Sequence, residues 1–486
     1  MQFWEVTPEL GDVRTVQSYA AHTDLGGALS QHTWMGRSGF RPNPDGSYLV
    51  VKGIGPGPGS EWMRAFIDRN SYRSYHGAGG CLRLGTGTPF PLLVPFGQGE
   101  RAWRVHTARP EGMSRFSLCL LEAEAACLYR EISVPVALPL SVSRVHYPTP
   151  WEAGSHTSMG EFLAARMPEA VRSHLRLAGK AAPDVFQIGR QVYVELDAGV
   201  LARRVLSPFR IANLYQATLD EDRESLTGLF HHMSCVLDAA GVTEVGNALL
   251  KRLARTAGTL FCEGVIHGQL HIHFQDITLA GELADLDCTT FLRSLPDSIE
   301  DIPFGASTAG TAYRRHRARL QQLGSSFGVR LVEDADLRYN ARFIGSKASD
   351  GWRHLQIATA LLRQLFDLYN QAALAVDRLG RLEGGPLNWE ELSRLRHLFT
   401  QEVATEIRRH RGRTLFHWCL QHGWERLLDV DLCPLNKRTL YGWASAGVPP
   451  DFVNSPGDAI RARFVRAEAE SFFTALSTHI EQQVPA

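Results

Sequence analysis

Apolar residues change rhythm partway along this chain. In the first two hundred or so positions they come in short bursts. Tyr48-Leu49-Val50-Val51 predicts a strand, broken by the Gly- and Pro-rich run at 53–59. Phe116, Leu118, Leu120, Leu121, Ala125 and Leu128 recur at helical spacing and predict a helix over 116–130. A strand is predicted over 134–142, and a hairpin joining 192–194 to 200–201. Residues 145–190 mix Pro, Gly and His around a helical piece and read as an insertion. From about 220 the helical period dominates, with helices predicted over 249–261, 354–379, 389–407 and 459–482 and a loop at 447–456. Strands with helices first and helices later predict an α+β chain of two lobes.

Composition narrows this only a little. At 486 residues the chain is too long for one compact core. Its 44% hydrophobic and 21% charged residues are those of a globular protein. Fifty-one basic residues balance fifty-one acidic ones, so overall charge points to neither nucleic acid nor membrane as a partner. No apolar run reaches the ~18 residues of a membrane span. The start, Met1-Gln2-Phe3-Trp4-Glu5-Val6, has no basic-then-apolar leader, which predicts a cytoplasmic protein. Eight cysteines are scattered without a Cys-x-x-Cys pair, as expected of reduced thiols.

The densest chemistry lies at 267–287. It runs His267-Gly268-Gln269-Leu270-His271-Ile272-His273-Phe274-Gln275-Asp276, then through Gly281 to Asp285-Leu286-Asp287. A helix leads in, and a strand–turn–strand with Gly281 in the turn leads out. Asp276 and Asp285 stand nine residues apart. A hairpin brings its two ends together, so both carboxylates can meet one hard cation such as Mg²⁺, which favours oxygen ligands and keeps phosphate oxygens in its shell. The same segment admits a zinc site of His267, His271 and His273, one face of a strand, or a solvated strand end.

His-Gly-x-Leu, a hairpin and then Asp resembles the catalytic and metal loops of kinase-like folds. It is most similar to the selenoprotein O family, kinase-like enzymes that move AMP from ATP to protein hydroxyls. Other segments match in order. Tyr19-Ala20-Ala21-His22 with Gly26 and Gly36-Arg37 resembles that family's Tyr-Ala-Gly-His and Gly-Asp-Gly-Arg segment. Lys52-Gly53-Ile54-Gly55 resembles its Lys-Gly-Ala-Gly. Glu122, thirteen residues before Pro135, stands at its helix glutamate. Val200-Leu201-Ala202-Arg203, with Arg210 seven on, resembles its Val-Leu-Thr-Arg and second arginine. The match covers roughly 15–290.

The resemblance implies a protein-kinase-like bilobal fold. An N-lobe would cover 1–215 with an insertion near 143–190, a C-lobe 216–345, and a C-terminal helical extension 346–486. It implies ATP and Mg²⁺ (or Mn²⁺) as cofactors and a protein, peptide or small-molecule acceptor. Lys52, held by Glu122, would contact phosphate, assisted by Gly53, Gly55, Arg203 and Arg210. Asp276, Asp285 and Asp287 would face the metal. In sequence, Glu124 competes with Glu122 and Arg204 with Arg203.

The chain also departs from the family. Two extra residues lie between His267 and Asp276, Asp276 replaces an asparagine, and Gln275 stands at the candidate base. Asp287 replaces the glycine after the metal ligand, and residues 481–486 hold no cysteine or selenocysteine. His271 and His273 become the local candidates for a base. The alternatives to AMP transfer are a phosphotransferase, a carboxylate-activating ligase or a nucleotide-binding pseudoenzyme.

Overall fold

The structure, a computed structural model, describes residues 5–7, 33–35, 38–52, 93–95, 103–105, 114–146, 197–219, 221–268, 270, 276–292, 308–326, 350–383, 385, 387–426 and 459–482. It mixes helix and sheet. The chain divides into two compact units. The first is Met1–Ala123, Leu138–Val205 and Gly324–Arg330; the second is Glu124–Ala137, Leu206–Leu323 and Leu331–Ala486.

The first unit is built on a sheet. Its strands are β1 (Glu5–Thr7), β2 (Thr33–Met35), β3 (Ser38–Pro42), β4 (Tyr48–Lys52), β5 (Leu93–Pro95), β6 (Trp103–Val105), β7 (Ser114–Arg115), β8 (Leu138–His146) and β9 (Asp197–Val205). The main sheet runs β1-β8-β9-β4-β3-β2, with β7 also on β9, and β5 pairs with β6 apart. All of these pairs are antiparallel except β1 with β8. The β3–β4 hairpin closes on Asn43-Pro44-Asp45-Gly46. Gly46 takes a φ of 79°, which costs glycine little. The Asp45 carboxylate accepts from the Ser47 hydroxyl and backbone N–H, and these bonds hold it below the usual carboxylate range.

The predicted strand over 134–142 is shifted. Val136 makes only an isolated bridge, and β8 begins at Leu138. Pro135 and Pro139 lack the N–H a ladder needs. The register slips between Pro139 and Ser141, turning Leu140 outward at 40% exposure. Val200 and Leu201 belong to the nine-residue β9, which pairs with β4 and β8; 192–194 lie outside the described residues, as does most of the predicted insertion.

Helix α1 (Phe116–Glu131) begins in the first unit and ends in the second. The second unit is otherwise helical: α2 (Ile211–Leu219), α3 (Arg223–Leu237), α4 (Val242–Glu263), α5 (Thr308–Ser326), α6 (Asp350–Gly380), α7 (Trp389–Arg409), α8 (Arg413–Arg426) and α9 (Ala459–Glu481). The short β10 (Val265–Ile266) and β11 (Thr290–Phe291) pair antiparallel. Helices α4 and α6 carry its core, burying Leu249, Leu253, Leu260 and Phe261 on one and Leu361, Leu365, Phe366 and Tyr369 on the other. Asn388 and Glu391 form a capping box at the start of α7, each side chain bonding the other's backbone N–H. Gly423 on α8 lets two helices approach closely: a Cβ there would stand 2.8 Å from the Thr359 backbone nitrogen of α6. No helix among the described residues is long and apolar enough to cross a membrane.

Candidate functional site

In the first unit, three charged side chains meet under the sheet. Lys52 ends β4 opposite Leu201 of β9, and Arg203 lies opposite Val50. Side chains alternate along a strand, so Lys52, Val50, Leu201 and Arg203 share one face. Glu122 of α1 reaches both cations. Its Oε2 accepts from Lys52 Nζ at 2.6 Å, and its Oε1 accepts from Arg203. All three are buried, at 4%, 3% and 4% exposure. Such charges persist out of water only when paired and hydrogen-bonded.

The structure separates the sequence's competitors. Arg204 faces solvent and stands 3.5 Å from Asp45 in an exposed pair. Glu124 lies with its own partners in the second unit, on His316 and Arg319. The alternation around Arg203 was a usable signal, because Leu201 and Val205 two positions either side are apolar and buried. No comparable signal separates Glu122 from Glu124: the helix is buried on several sides, and both carboxylates are nearly inaccessible.

In the second unit, the segment after α4 is laid out by its backbone. Gly264 takes a φ of 65° and donates to Leu260 and Phe261, ending α4 and turning the chain into β10. His267 follows with no exposed surface. Its Nε2 lies 2.9 Å from the Ala284 carbonyl, which can only accept, so Nε2 carries the proton. The ring thus bonds the residue just before Asp285.

Residues 276–285 form a tight turn. Thr278 N–H donates to Glu282 and Ala284 N–H to Asp276, both within 2.9 Å, and Ile277 bridges Leu283. Gly281 supplies the turn's φ of 75°, with Arg252 of α4 donating to the Ala280 carbonyl at 2.6 Å. The turn is held on both sides. Residues 209–211 pair with 277–279 through Leu279 N–H to Phe209 and Ile211 N–H to Ile277, and Leu283 N–H donates to Pro135. The buried Glu282 carboxyl accepts the Leu206 N–H; burial pushes its pKa up, partly offset by those bonds. Asp276 is 1% exposed. Asp285 takes a φ of 59° at the start of a 3-10 turn, Leu286–Cys288, that also carries Asp287. A left-handed aspartate is strain that persists only where its surroundings fix it, and such residues gather at functional sites.

Helix α6 pins this segment from below. Gln364 accepts from His267 N–H at 2.8 Å and donates to the Val265 carbonyl at 2.9 Å, and two turns on Gln371 donates to the Leu270 carbonyl at 2.6 Å. Asp367 lies on the same face between them. Sequence reading missed these residues because an amphipathic helix suggests a solvated polar face, whereas this face is buried. The regular 364, 367, 371 spacing of polar residues opposite an apolar stripe was the available sign. Gln364→Ala should strip two buried backbone groups of their partner, at a cost of about 2–4 kcal/mol. Urea denaturation of the wild type and variant measures it.

Burial pushes the Asp367 carboxyl up to about 7, against the smaller opposing pull of Arg363. The folded chain therefore keeps a proton that the unfolded chain releases near 3.8. Its contribution to stability is fully present below that value and is lost as pH rises through about 7. Asp367→Asn imitates the protonated form. Relative to the wild type it should gain on the order of 2–4 kcal/mol between acid and mildly alkaline pH, read from denaturation across that range.

Other candidates lie elsewhere. Arg210 sits in the second unit, its backbone bridging Thr278, while Arg203 belongs to the first. Gly53, Gly55, His271, His273, Gln275 and the segments at 19–26 and 36–37 lie outside the described residues. Among the described residues no three of His, Cys, Asp and Glu are gathered as a ready-made metal cage. Mg²⁺ commonly takes one or two carboxylates and completes its shell with phosphate and water.

No protein-family model matches this chain, and no curated protein matches it. Its functional reading therefore rests on its own residues.

Proposed function

We propose that the chain is a kinase-like, ATP- and Mg²⁺-dependent nucleotidyltransferase that moves AMP onto a protein or peptide acceptor, built as a bilobal protein-kinase-like fold. The observation that carries this reading is the buried Lys52–Glu122 pair. A strand lysine and a helix glutamate, seventy residues apart in sequence, meet at 2.6 Å. In kinase-like folds such a glutamate fixes a lysine on the phosphates. Arg203, on the same sheet face and the same carboxylate, adds a second cation where a phosphate-binding group is needed.

The donor set in the second unit fits a hard cation. Asp285 is fixed in a strained backbone and Asp276 is buried beside the tight turn. In this reading Asp276 and Asp285 hold Mg²⁺, with Asp287 on the adjoining 3-10 turn. The ion supplies charge neutralisation on phosphate oxygens when bound. His267, by tying its ring to Ala284, keeps Asp285 in position, and Gln364 keeps His267 in place. Lys52 and Arg203 orient phosphate, with Arg210 as a further phosphate contact. His271 and His273 are the candidates to take the acceptor's proton.

Phosphoryl-type displacement asks chiefly for positioning and charge, and these residue types supply both. Mass spectrometry of candidate acceptors after incubation with ATP and Mg²⁺ tests the reading. An AMP adduct supports it; a phosphate adduct without AMP overturns it.

A further inference from the structure

Away from that chemistry, a second charged cluster fixes α5 against the C-terminal half of α1. His316 of α5 is 3% exposed and lies between two carboxylates of α1. Its Nδ1 contacts Glu124 Oε2, and its Nε2 stands 3.1 Å from Glu131 Oε1. Arg319 donates from Nε to the other Glu124 oxygen at 2.7 Å. Arg315, half exposed, donates to Glu131 at 2.9 Å. Among the described residues, then, Glu124 and Glu131 face the ring from α1, and Arg315 and Arg319 flank it on α5.

The ring's protonation state follows from valence. A neutral imidazole has one N–H and one lone pair. With a carboxylate at each nitrogen, the neutral ring must set a lone pair against an anion. Only the imidazolium donates to both.

We propose that His316 is a pH-sensitive clamp: protonated, it docks α5 on α1, and its deprotonation as pH rises loosens that docking. Neutral His316 keeps one hydrogen bond and loses the other, leaving Arg319 and the exposed Arg315 to hold the helices. Of these two, the half-exposed Arg315 contributes little. Burial is the largest single influence on the ring and favours its neutral form. The hydrogen bonds and charges of Glu124 and then Glu131 together outweigh burial and raise its pKa above 6.5. The clamp's stabilisation is therefore complete below 6.5 and is lost as pH rises through the folded-state value. Glu122 lies on the same helix two residues before Glu124, so the clamp grips the helix that carries the partner of Lys52. The inference does not depend on the nucleotide reading.

Hydrogen–deuterium exchange on the full chain, corrected for the intrinsic pH dependence of exchange, tests it. Protection of α5 relative to α4 is measured from about pH 6 to about pH 9, around the range in which histidine titrates. In the wild type it should fall by about tenfold or more. In Glu131→Gln the fall should move to lower pH, and in His316→Gln it should vanish. Constant wild-type protection, or a fall unchanged in both variants, overturns the proposal. Should His316→Gln fail to fold, Glu131→Gln decides alone: a downward shift supports the clamp and an unmoved transition refutes it.

Discussion

Glu122→Ala is expected to cost about 3–5 kcal/mol of stability, the range seen when one member of a buried ion pair is removed. The reason is local. Lys52 and Arg203 are both nearly inaccessible, and both donate to this one carboxylate. Removing it sets two buried cations side by side without the anion they share. Glu122→Gln should cost less, because the amide oxygen still accepts one of the two bonds. Arg204→Ala, by contrast, removes only an exposed contact with Asp45 and should change stability by less than ~1 kcal/mol. Chemical denaturation of the three variants reads this order directly. An equal loss in Arg204→Ala and Glu122→Ala would show that the triad does not anchor β4 and β9 to α1.

Asp285→Asn should act oppositely, sparing the fold and removing the chemistry. Asparagine tolerates the left-handed backbone about as well as aspartate does, so the φ of 59° adds no new strain. The carboxamide also keeps the side chain's size. What disappears is the negative charge that the proposed function has Asp285 offer to Mg²⁺. AMP transfer should fall by about two orders of magnitude or more, in line with the loss of one strong electrostatic contact to a transition state. Stability should stay within about 1 kcal/mol. Initial rates measured over a range of Mg²⁺ concentrations, alongside thermal melts, separate the two effects. A variant with wild-type rates would remove Asp285 from the metal site.

Much of the architecture was legible because burial follows period. The strand at 48–51 and the helix over 116–130 appear within a residue of their predicted bounds, and α6, α7 and α9 within four residues, whereas α4 begins seven residues before its predicted start. What failed, failed for physical reasons. Prolines at 135 and 139 are apolar and so extend an apolar pattern, but they cannot donate to a ladder, and the strand starts late. Helices α2, α3, α5 and α8 were not individually predicted. Helix α5, rich in arginine, has too few apolar residues to announce a buried face, although Ala312 and His316 are buried.

The candidate site was legible unevenly. Lys52 and Glu122 came from the order of motifs, and their pairing distance is the structure's own addition. The turn around Gly281 was readable because glycine between short apolar runs marks a tight reversal, and the backbone bonds of 276–284 form it. The anchoring by Gln364 and Gln371 was not readable. Their partners are backbone groups about a hundred positions away, and backbone carries no sequence signature. Nor was the division of labour between Glu122 and Glu124. Two buried carboxylates on one helix look alike until their cations are placed, and those cations come from β4 and β9 for one and from α5 for the other.

The decisive measurement is label transfer to acceptor proteins from ATP carrying the label at either the α- or the γ-phosphate. It is run in Mg²⁺ with the wild type and with Lys52→Met. The expected result is label from the α position only, and none from either position with Lys52→Met. Label arriving from the γ position alone, or α-label that persists in Lys52→Met, would contradict a nucleotidyltransferase anchored on Lys52.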